Sequence, residues 1–202
     1  WQKAVERTGH RQEYNLSAAV ANDRYNIYSS AGYLNEQGYT LNSGYERFTG
    51  RINTNYHANK WLELGMNLSG TSSVRSFNAD ANGSFFANPF YVTRYMTPVY
   101  PVYLHNADGT YVLDADGNKQ YDTTSEYLNN RNLPYEMQMD MDRIRRNVLD
   151  GLIYANVSLP YGFTLTGKVD LNHSNTNRQT YNNSVIGDGA SNNGRLTEIS
   201  NQ

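Results

Sequence analysis

From Tyr45 to Val74, apolar and polar side chains alternate with a period of two on either side of a short polar break at Asn59-Lys60. Before the break, Phe48, Gly50, Ile52, Thr54 and Tyr56 share one face, and Arg47, Thr49, Arg51, Asn53, Asn55 and His57 share the other. After it, Leu62, Leu64, Met66 and Leu68 alternate with Glu63, Gly65, Asn67 and Ser69. This pattern predicts two β-strands with one apolar face, joined by a tight turn. Each run is about ten residues long, against about 5–6 for an ordinary soluble strand. Crossing an outer membrane takes roughly 9–11 tilted residues.

The alternation recurs along the chain. Over Gln12–Ala21 it places Tyr14, Leu16, Ala18 and Val20 together, with turn residues Asn22-Asp23 following. Over Tyr25–Tyr33 it groups Tyr25, Ile27, Ser29, Ala31 and Tyr33, although Tyr28 and Leu34 sit on the opposite side. Over Arg145–Leu159 it groups Leu149, Ile153, Ala155, Val157 and Leu159, and over Phe163–His173 Phe163, Leu165, Gly167, Val169 and Leu171. These runs predict about six strands. Trp1–His10 shows no clear period, and the last thirty or so residues, rich in Asn, Ser and Gly, read as a loop.

The connections alternate between short and long: 22–24, then 35–43, then Asn59-Lys60, then about 75–141, then 160–162. An up-and-down sheet gathers the short turns at one end and the long loops at the other, as outer-membrane barrels do. The longest connection holds four of the five prolines. Within it, Asn106-Ala-Asp-Gly109 suggests a small hairpin between Tyr103–His105 and Tyr111–Leu113, and Asp114-Ala-Asp-Gly-Asn118 a further turn.

Composition narrows the reading. Apolar residues make up 38%, below the roughly 45–50% of soluble domains, so the chain is a disordered polymer, a polar β-protein or a barrel with a wet interior. The long alternations and the 18 tyrosines disfavour disorder. No apolar run of about 18 residues exists to form a membrane helix, but a barrel needs none. A net charge of −2 without a basic run gives no reason to expect a nucleic-acid partner. The absence of cysteine excludes disulfides and thiolate metal sites. Turning the Phe48–Tyr56 strand over would place Arg51 in lipid at a cost of roughly 2–4 kcal/mol, so the apolar rows are the lipid-facing ones. Arg145 is then the one charge on a lipid face, near a strand end where it can reach headgroups. Tyr25, Tyr56 and Phe163 near the short turns, with Tyr33 and Phe48 near the long loops, fit two aromatic girdles.

The stretches Gly32–Gly38, Ser43–Asn53 and Asn59–Gly70, with Arg7–Leu16, Tyr100–Tyr103 and Tyr111–Asn118, together resemble the SusC/RagA family of TonB-dependent outer-membrane transporters. The resemblance covers most of residues 1–175. It implies an all-β, antiparallel, up-and-down transmembrane barrel segment, about six strands of a probable 22-strand barrel, with an extracellular loop at about 75–141. Residues 1–202 would be part of the barrel domain of an internal fragment, without the plug and the remaining strands. It further implies the bacterial outer membrane and its lipids as surroundings. A SusD-like lipoprotein lid, a TonB complex acting through the plug, and an oligosaccharide or peptide cargo are the implied partners. No cofactor and no covalent chemistry are implied.

Candidate contacts with cargo or lid are Phe85, Phe86, Phe90, Tyr91, Arg94, Tyr95, Tyr100 and Tyr103, since clustered aromatics beside Asn and Arg suit sugar or peptide faces, a partner protein, or the loop's own packing. Candidates for the barrel interior, against the plug or along the solute path, are Arg47, Arg51, Asn53, Asn55, Asn67, Lys168 and Asp170. His10, His57, His105 and His173 lack metal-ligand spacing. Asp114–Asn118 lacks the terminal Glu of an EF-hand and reads as a turn. Asp140 and Asp142 are the nearest thing to an acid pair, with no second feature in support. Two other readings remain open: a secreted β-sandwich that binds glycans, and an all-β glycoside hydrolase. A sandwich would bury Leu62, Leu64, Met66 and Leu68 against a second sheet, whereas a membrane barrel leaves them bare.

Overall fold

Seven strands, each antiparallel to the next in sequence, form one meander in a computed structural model that describes residues 1–78 and 88–201. They are β1 (His10–Ala21), β2 (Tyr25–Gln37), β3 (Gly44–His57), β4 (Leu62–Ser76), β5 (Met141–Ser158), β6 (Thr164–Asn182) and β7 (Arg195–Asn201). Short helices lie outside the sheet: α1 (Gln2–Val5), α2 (Pro89–Tyr95) and α3 (Leu133–Met139).

The short turns share a local device. Asn22 Oδ1 accepts the backbone N–H groups of Arg24 and Tyr25, at 2.8 and 2.9 Å. Asn59 Oδ1 accepts those of Trp61 and Leu62, both at 2.9 Å. An Asn side chain that bonds its own backbone two and three residues on stands in for a turn hydrogen bond. The third turn instead places Tyr161 and Gly162 at positive φ, 65° and 83°.

Register settles the faces. Tyr14, Tyr33 and Phe48 lie side by side across β1–β3, and Tyr25 opposes Tyr56. Ile52 meets Leu68, Met66 meets Ile153, and Ile153 meets Val169. Every apolar row read from the sequence therefore falls on one side, but the same register also puts Glu46, Arg143 and Glu198 there, beyond the apolar band, so Arg145 is not the one charge on that face. Between the aromatic rows at Tyr25 and Tyr33, β2 rises about 26 Å, or about 20 Å after a tilt of about 40°. That is near the height of the apolar band on an outer-membrane barrel. The face is bare: Leu16 is 76% exposed, Val169 69% and Ile153 60%. Among the described residues no second sheet covers it, so the sandwich expectation does not hold.

The sequence reading stops short at the C-terminal end. The last thirty residues are not a loop: β6 continues to Asn182, and β7 adds a seventh strand where about six were expected. In the upper part of β6, Asn175, Asn177 and Gln179 occupy one face and Ser174, Thr176, Arg178 and Thr180 the other, so hydrophobic alternation carries no signal. Ladder hydrogen bonds alone define these strands.

The buried apolar core lies beside the sheet's long-loop end. Val5, Val92, Leu133 and Met137 pack together from α1, α2 and α3, with Trp1, Leu41 and Met96 against them. The aperiodic N-terminal stretch thus belongs to the loops' core, through Val5 at 0% exposure.

On the polar face Tyr154 lies across Gly65 and donates its hydroxyl to Asn55 Oδ1 at 2.7 Å. A Cβ on Gly65 would collide with the Tyr154 ring. Gly65→Ala is expected to destabilise the barrel by about 1–3 kcal/mol, and to cost far less when Tyr154→Ala is also present. A double-mutant cycle on the unfolding of the complete protein measures this; equal costs in both backgrounds would refute the contact.

Candidate functional site

The long loops and the N-terminal segment form a canopy at one end of the sheet. Arg7 ties the start of the chain to residues 38–43, donating to the carbonyls of Gly38 at 3.0 Å and Ser43 at 2.8 Å. Asp140 accepts the backbone and side-chain N–H groups of Asn183, at 2.8 and 2.6 Å, joining the base of the longest loop to the β6–β7 connection.

Residues 102–122 close on themselves. Leu104 N–H donates to Gln120 O at 2.9 Å, Gln120 N–H to Val112 O at 3.0 Å, and Val112 N–H to Leu104 O at 3.0 Å. The three short segments form a triangle, and its two corners are the turns expected at Asn106–Gly109 and Asp114–Gly117, with Gly109 and Gly117 at φ 84° and 81°. The residues in register at 103, 111 and 119 are Tyr, Tyr and Lys, and the turns are Asn-Ala-Asp-Gly and Asp-Ala-Asp-Gly. This is an internal eight-residue repeat whose turns were legible but whose closure was not. Asp114 serves its own turn, accepting from Asp116 N and Asn118 N at 3.0 and 2.8 Å, and those backbone donors hold its carboxyl below the usual range.

Lys119 Nζ sits 3.7 Å from the Tyr111 ring centre and 5.4 Å from that of Tyr103. Tyr121 lies 5.0 Å from Tyr103 and stacks on Tyr135 at 5.0 Å. Burial, then Tyr103, pushes the Tyr121 phenol up, so it is neutral and able to donate. Tyr103, Tyr121 and Tyr135, with Asn118 and Gln138, line a trough of about 910 Å³. Buried Asn132 fixes the triangle to α3: its Nδ2 donates to Val102 O at 2.9 Å and Asp122 O at 3.0 Å.

The sequence-derived aromatic candidates divide into separate groups. Phe85 and Phe86 lie outside the described residues. Asn88 caps α2 by accepting from Phe90 N and Tyr91 N, and Pro89 opens the helix. Val92 faces the core, which leaves Phe90, Tyr91, Arg94 and Tyr95 exposed. Tyr91 stacks on Tyr95 at 4.3 Å, and Phe90 meets Tyr39 edge-on at 6.0 Å. Tyr100 stacks on Tyr127 at 4.7 Å, and its carbonyl accepts Trp1 Nε1–H at 2.7 Å. Tyr103 belongs to the trough. Tyr39, Lys119, Tyr121, Tyr127 and Tyr135 were missed because isolated tyrosines in an aperiodic loop carry no pattern; only the eight-residue spacing could have signalled Lys119.

The interior candidates share the polar face. Arg51 opposes Ser30 and Ser69, Asn53 opposes Tyr28 and Asn67, and Asn55 opposes Gly65. Arg47 opposes Leu34, Lys168 opposes Tyr154, and Asp170 opposes Leu152. Arg51, Asn53, Asn67 and Asp170 border a hollow of about 500 Å³. Arg47 reaches Glu13 at 3.8 Å. Asp140 and Asp142 serve different partners: the first holds Asn183, the second Arg178 at 2.5 Å. Among the described residues no cluster of three His, Cys, Asp or Glu could hold a metal.

Comparisons with known proteins come from sequence and structure. No protein-family model matches the chain. It is 26% identical over 182 residues to TonB-dependent receptor P39 of Formosa agariphila, across 90% of this chain and 16% of the relative. It is 28% identical over 120 residues to TonB-dependent receptor P3 of the same organism, across 58% of this chain and 12% of that one. The chain thus spans about a sixth or less of these relatives. The sheet superposes on a chain of the RagAB peptide transporter with a TM-score of 0.63, at 21% identity and over 91% of this chain and 20% of that one. The RagAB peptide importer in its open-open state gives 0.63 at 20% identity, over 91% and 19%. This likeness shows a shared fold.

Arg131 latches the canopy, meeting buried Glu136 at 2.5 Å and Asp188 at 2.8 Å. Burial pushes the Glu136 carboxyl up, while Arg131 pulls it down. Arg131→Met is expected to weaken the loop by about 3–5 kcal/mol near neutral pH, because it strands a buried carboxylate. A raised native pKa means the folded loop takes up the proton, so protection in this variant recovers as pH falls through that pKa. Hydrogen exchange of residues 122–140 checks it; protection that is unchanged, or that falls with pH, would contradict it.

Proposed function

We propose that this chain, a SusC/RagA-like TonB-dependent transporter segment, forms part of the membrane wall and outer canopy of a nutrient importer in the bacterial outer membrane. The observation that carries the reading is the apolar face, continuous in register from β1 to β6, exposed at Leu16, Leu64, Ile153 and Val169, and covered by no second sheet among the described residues. A bare face of this extent in water would aggregate, and in a bilayer it is solvated by lipid. The polar face then borders the interior, where Arg47, Arg51, Asn53, Asn55, Asn67, Lys168 and Asp170 contact a plug or line the solute path.

The canopy binds at the outer mouth. The exposed ring face of α2 (Phe90, Tyr91, Tyr95, beside Arg94) suits a lid lipoprotein of the SusD type, because its rings are rigid and amphipathic. The trough of Tyr103, Tyr121 and Tyr135 suits an oligosaccharide or peptide, with amides at its edge to orient it. Import is driven by a TonB complex acting through a plug. The matched relatives are named as receptors and transporters. The chain itself performs no covalent chemistry in this reading, in which Asp140 and Asp142 hold the loops in place.

Uptake of labelled oligosaccharides and peptides by cells carrying the complete transporter tests this. Uptake of the cargo is expected to vanish without TonB and to fall at least about tenfold when Phe90, Tyr91 and Tyr95 are all replaced by Ala, with the barrel still in the outer membrane. TonB-independent uptake, or recovery of the protein from the soluble fraction, would overturn it.

A further inference from the structure

The turn at 125–131 differs from the other turns of the canopy. Elsewhere the Asn and Asp side chains serve the fold. Asn88 caps α2, Asp108, Asp114 and Asp122 close their own turns, and Asn132 and Asn183 join separate segments. Asn129 and Asn130 do none of this. Both lie at positive φ, 51° and 56°, in the left-handed region that Asn tolerates and glycine adopts without strain. Both are exposed, and among the described residues neither side-chain amide forms a hydrogen bond. The backbone holds the turn without them. Asn129 N–H donates to Glu126 O at 3.0 Å, Asn130 N–H to Ser125 O at 2.9 Å, and Arg131 N–H to Leu128 O at 2.9 Å. Buried Leu128 anchors the turn to the canopy. Two amides thus stand on a fixed, strained backbone with their hydrogen-bonding capacity unspent, and such strain is retained where the side chain has a use.

The same turn carries a flat ring. Tyr127 lies parallel to Tyr100, with the ring centres 4.7 Å apart and 2° between the planes. Tyr100 is itself held in place: its carbonyl accepts Trp1 Nε1–H at 2.7 Å, and its N–H donates to Thr97 O at 3.2 Å. The stack covers one face of the Tyr127 ring, and with the residue 67% exposed the other face is open. A ring already fixed against another loses little freedom when a ligand lies on it. Glu126, next to Tyr127, is exposed and forms no ion pair among the described residues. None of residues 125–131 lines the trough.

We propose that the 125–131 turn is a saccharide-binding platform, separate from the trough. The open face of Tyr127 takes the CH face of one pyranose ring, and the Asn129 and Asn130 amides bond hydroxyls at its rim. A primary amide offers a donor and an acceptor side by side, which matches two neighbouring hydroxyls. The Glu126 carboxylate accepts a further hydroxyl. A pyranose with equatorial hydroxyls, as in a β-linked glucan, suits this arrangement, because its faces are flat and its hydroxyls all lie at the rim. A peptide is the poorer fit. Its N–H and C=O groups are matched by an open strand edge, whereas the backbone donors of this turn are spent within it. The platform adds a site to the canopy and rests neither on the membrane-barrel reading nor on what the trough binds.

The test irradiates the complete protein, in detergent micelles, with cellotetraose carrying a diazirine, and locates the labelled peptides by mass spectrometry. Labelling is expected within residues 125–131, where peptide mapping separates it from labelling of the trough. Tyr127→Ala is expected to lower it at least about fivefold, and Tyr127→Phe to keep it, since the ring face carries the contact. Asn129→Gly with Asn130→Gly removes the amides while relieving the left-handed strain, so the turn stays folded. This pair is expected to lower labelling at least about threefold, with thermal unfolding no earlier than in the wild type. No labelling within 125–131, or labelling there that Tyr127→Ala or the glycine pair leaves unchanged, overturns the proposal. Equal labelling of the turn by a diazirine-bearing Gly-Ser peptide of similar length also overturns it, as does loss of a bound lid protein, rather than of saccharide labelling, from Tyr127→Ala. TonB-independent uptake would sink the importer reading and leave this result standing.

Discussion

A β-strand points successive side chains to opposite sides, and one unbroken register across neighbouring strands turns that local rule into two whole surfaces. Everything else in this structure depends on that constraint. Because Leu16, Ile52, Met66, Ile153 and Val169 fall on one side, Arg51, Asn67 and Asp170 must fall on the other. A one-residue slip of β3 against its neighbours would bring Arg51 into the apolar band, and one of β6 against β5 would bring Asp170 there. Among the described residues no layer packs on the strands' apolar face, so the specificity of the sheet rests on its hydrogen-bond ladders and on the difference between its two faces. Tyr154 over Gly65 is one of the few side-chain contacts that span several strands.

The loops solve a different problem. They bury apolar groups against one another, in a small core of their own around Val5, Val92, Leu133 and Met137. Buried polar residues organise it: Asn132 bridges two carbonyls, and Glu136 is held by Arg131. The canopy thus keeps a defined shape while presenting rings on α2 and in the trough. Among the described residues the outer edges are open, since β1 pairs only with β2 and β7 only with β6. Open edges of this length need further strands beside them in a stable barrel.

How much of this was legible follows from the same physics. Where strands alternate between apolar and polar surroundings, the pattern is forced, and the hairpin at Asn59 and the place of Tyr25 and Tyr56 near the short turns could be read from residue types alone. Where strands rise beyond the apolar band, both sides meet water and the pattern fades; β7 and the upper half of β6 were lost for that reason. The turns at Gly109 and Gly117 announced themselves through Asp-Gly chemistry, while the triangle they close depends on hydrogen bonds among Leu104, Val112 and Gln120 that no single residue type encodes. The trough tyrosines were invisible individually, because their meaning comes from distant partners such as Tyr135.

The central claim is that one face of this sheet meets lipid and the other does not. This chain contains no cysteine, so single cysteines carrying nitroxide labels can be introduced in it one at a time. In the complete transporter in lipid bilayers, labels at Leu64, Ile153 and Val169 are expected to collide with dissolved oxygen and to be shielded from a water-soluble nickel chelate. Labels at Glu63, Lys168 and Asp170 should show no such preference for oxygen. Nickel accessibility at the first three positions, or immobilisation of those labels by packed protein, would contradict the account.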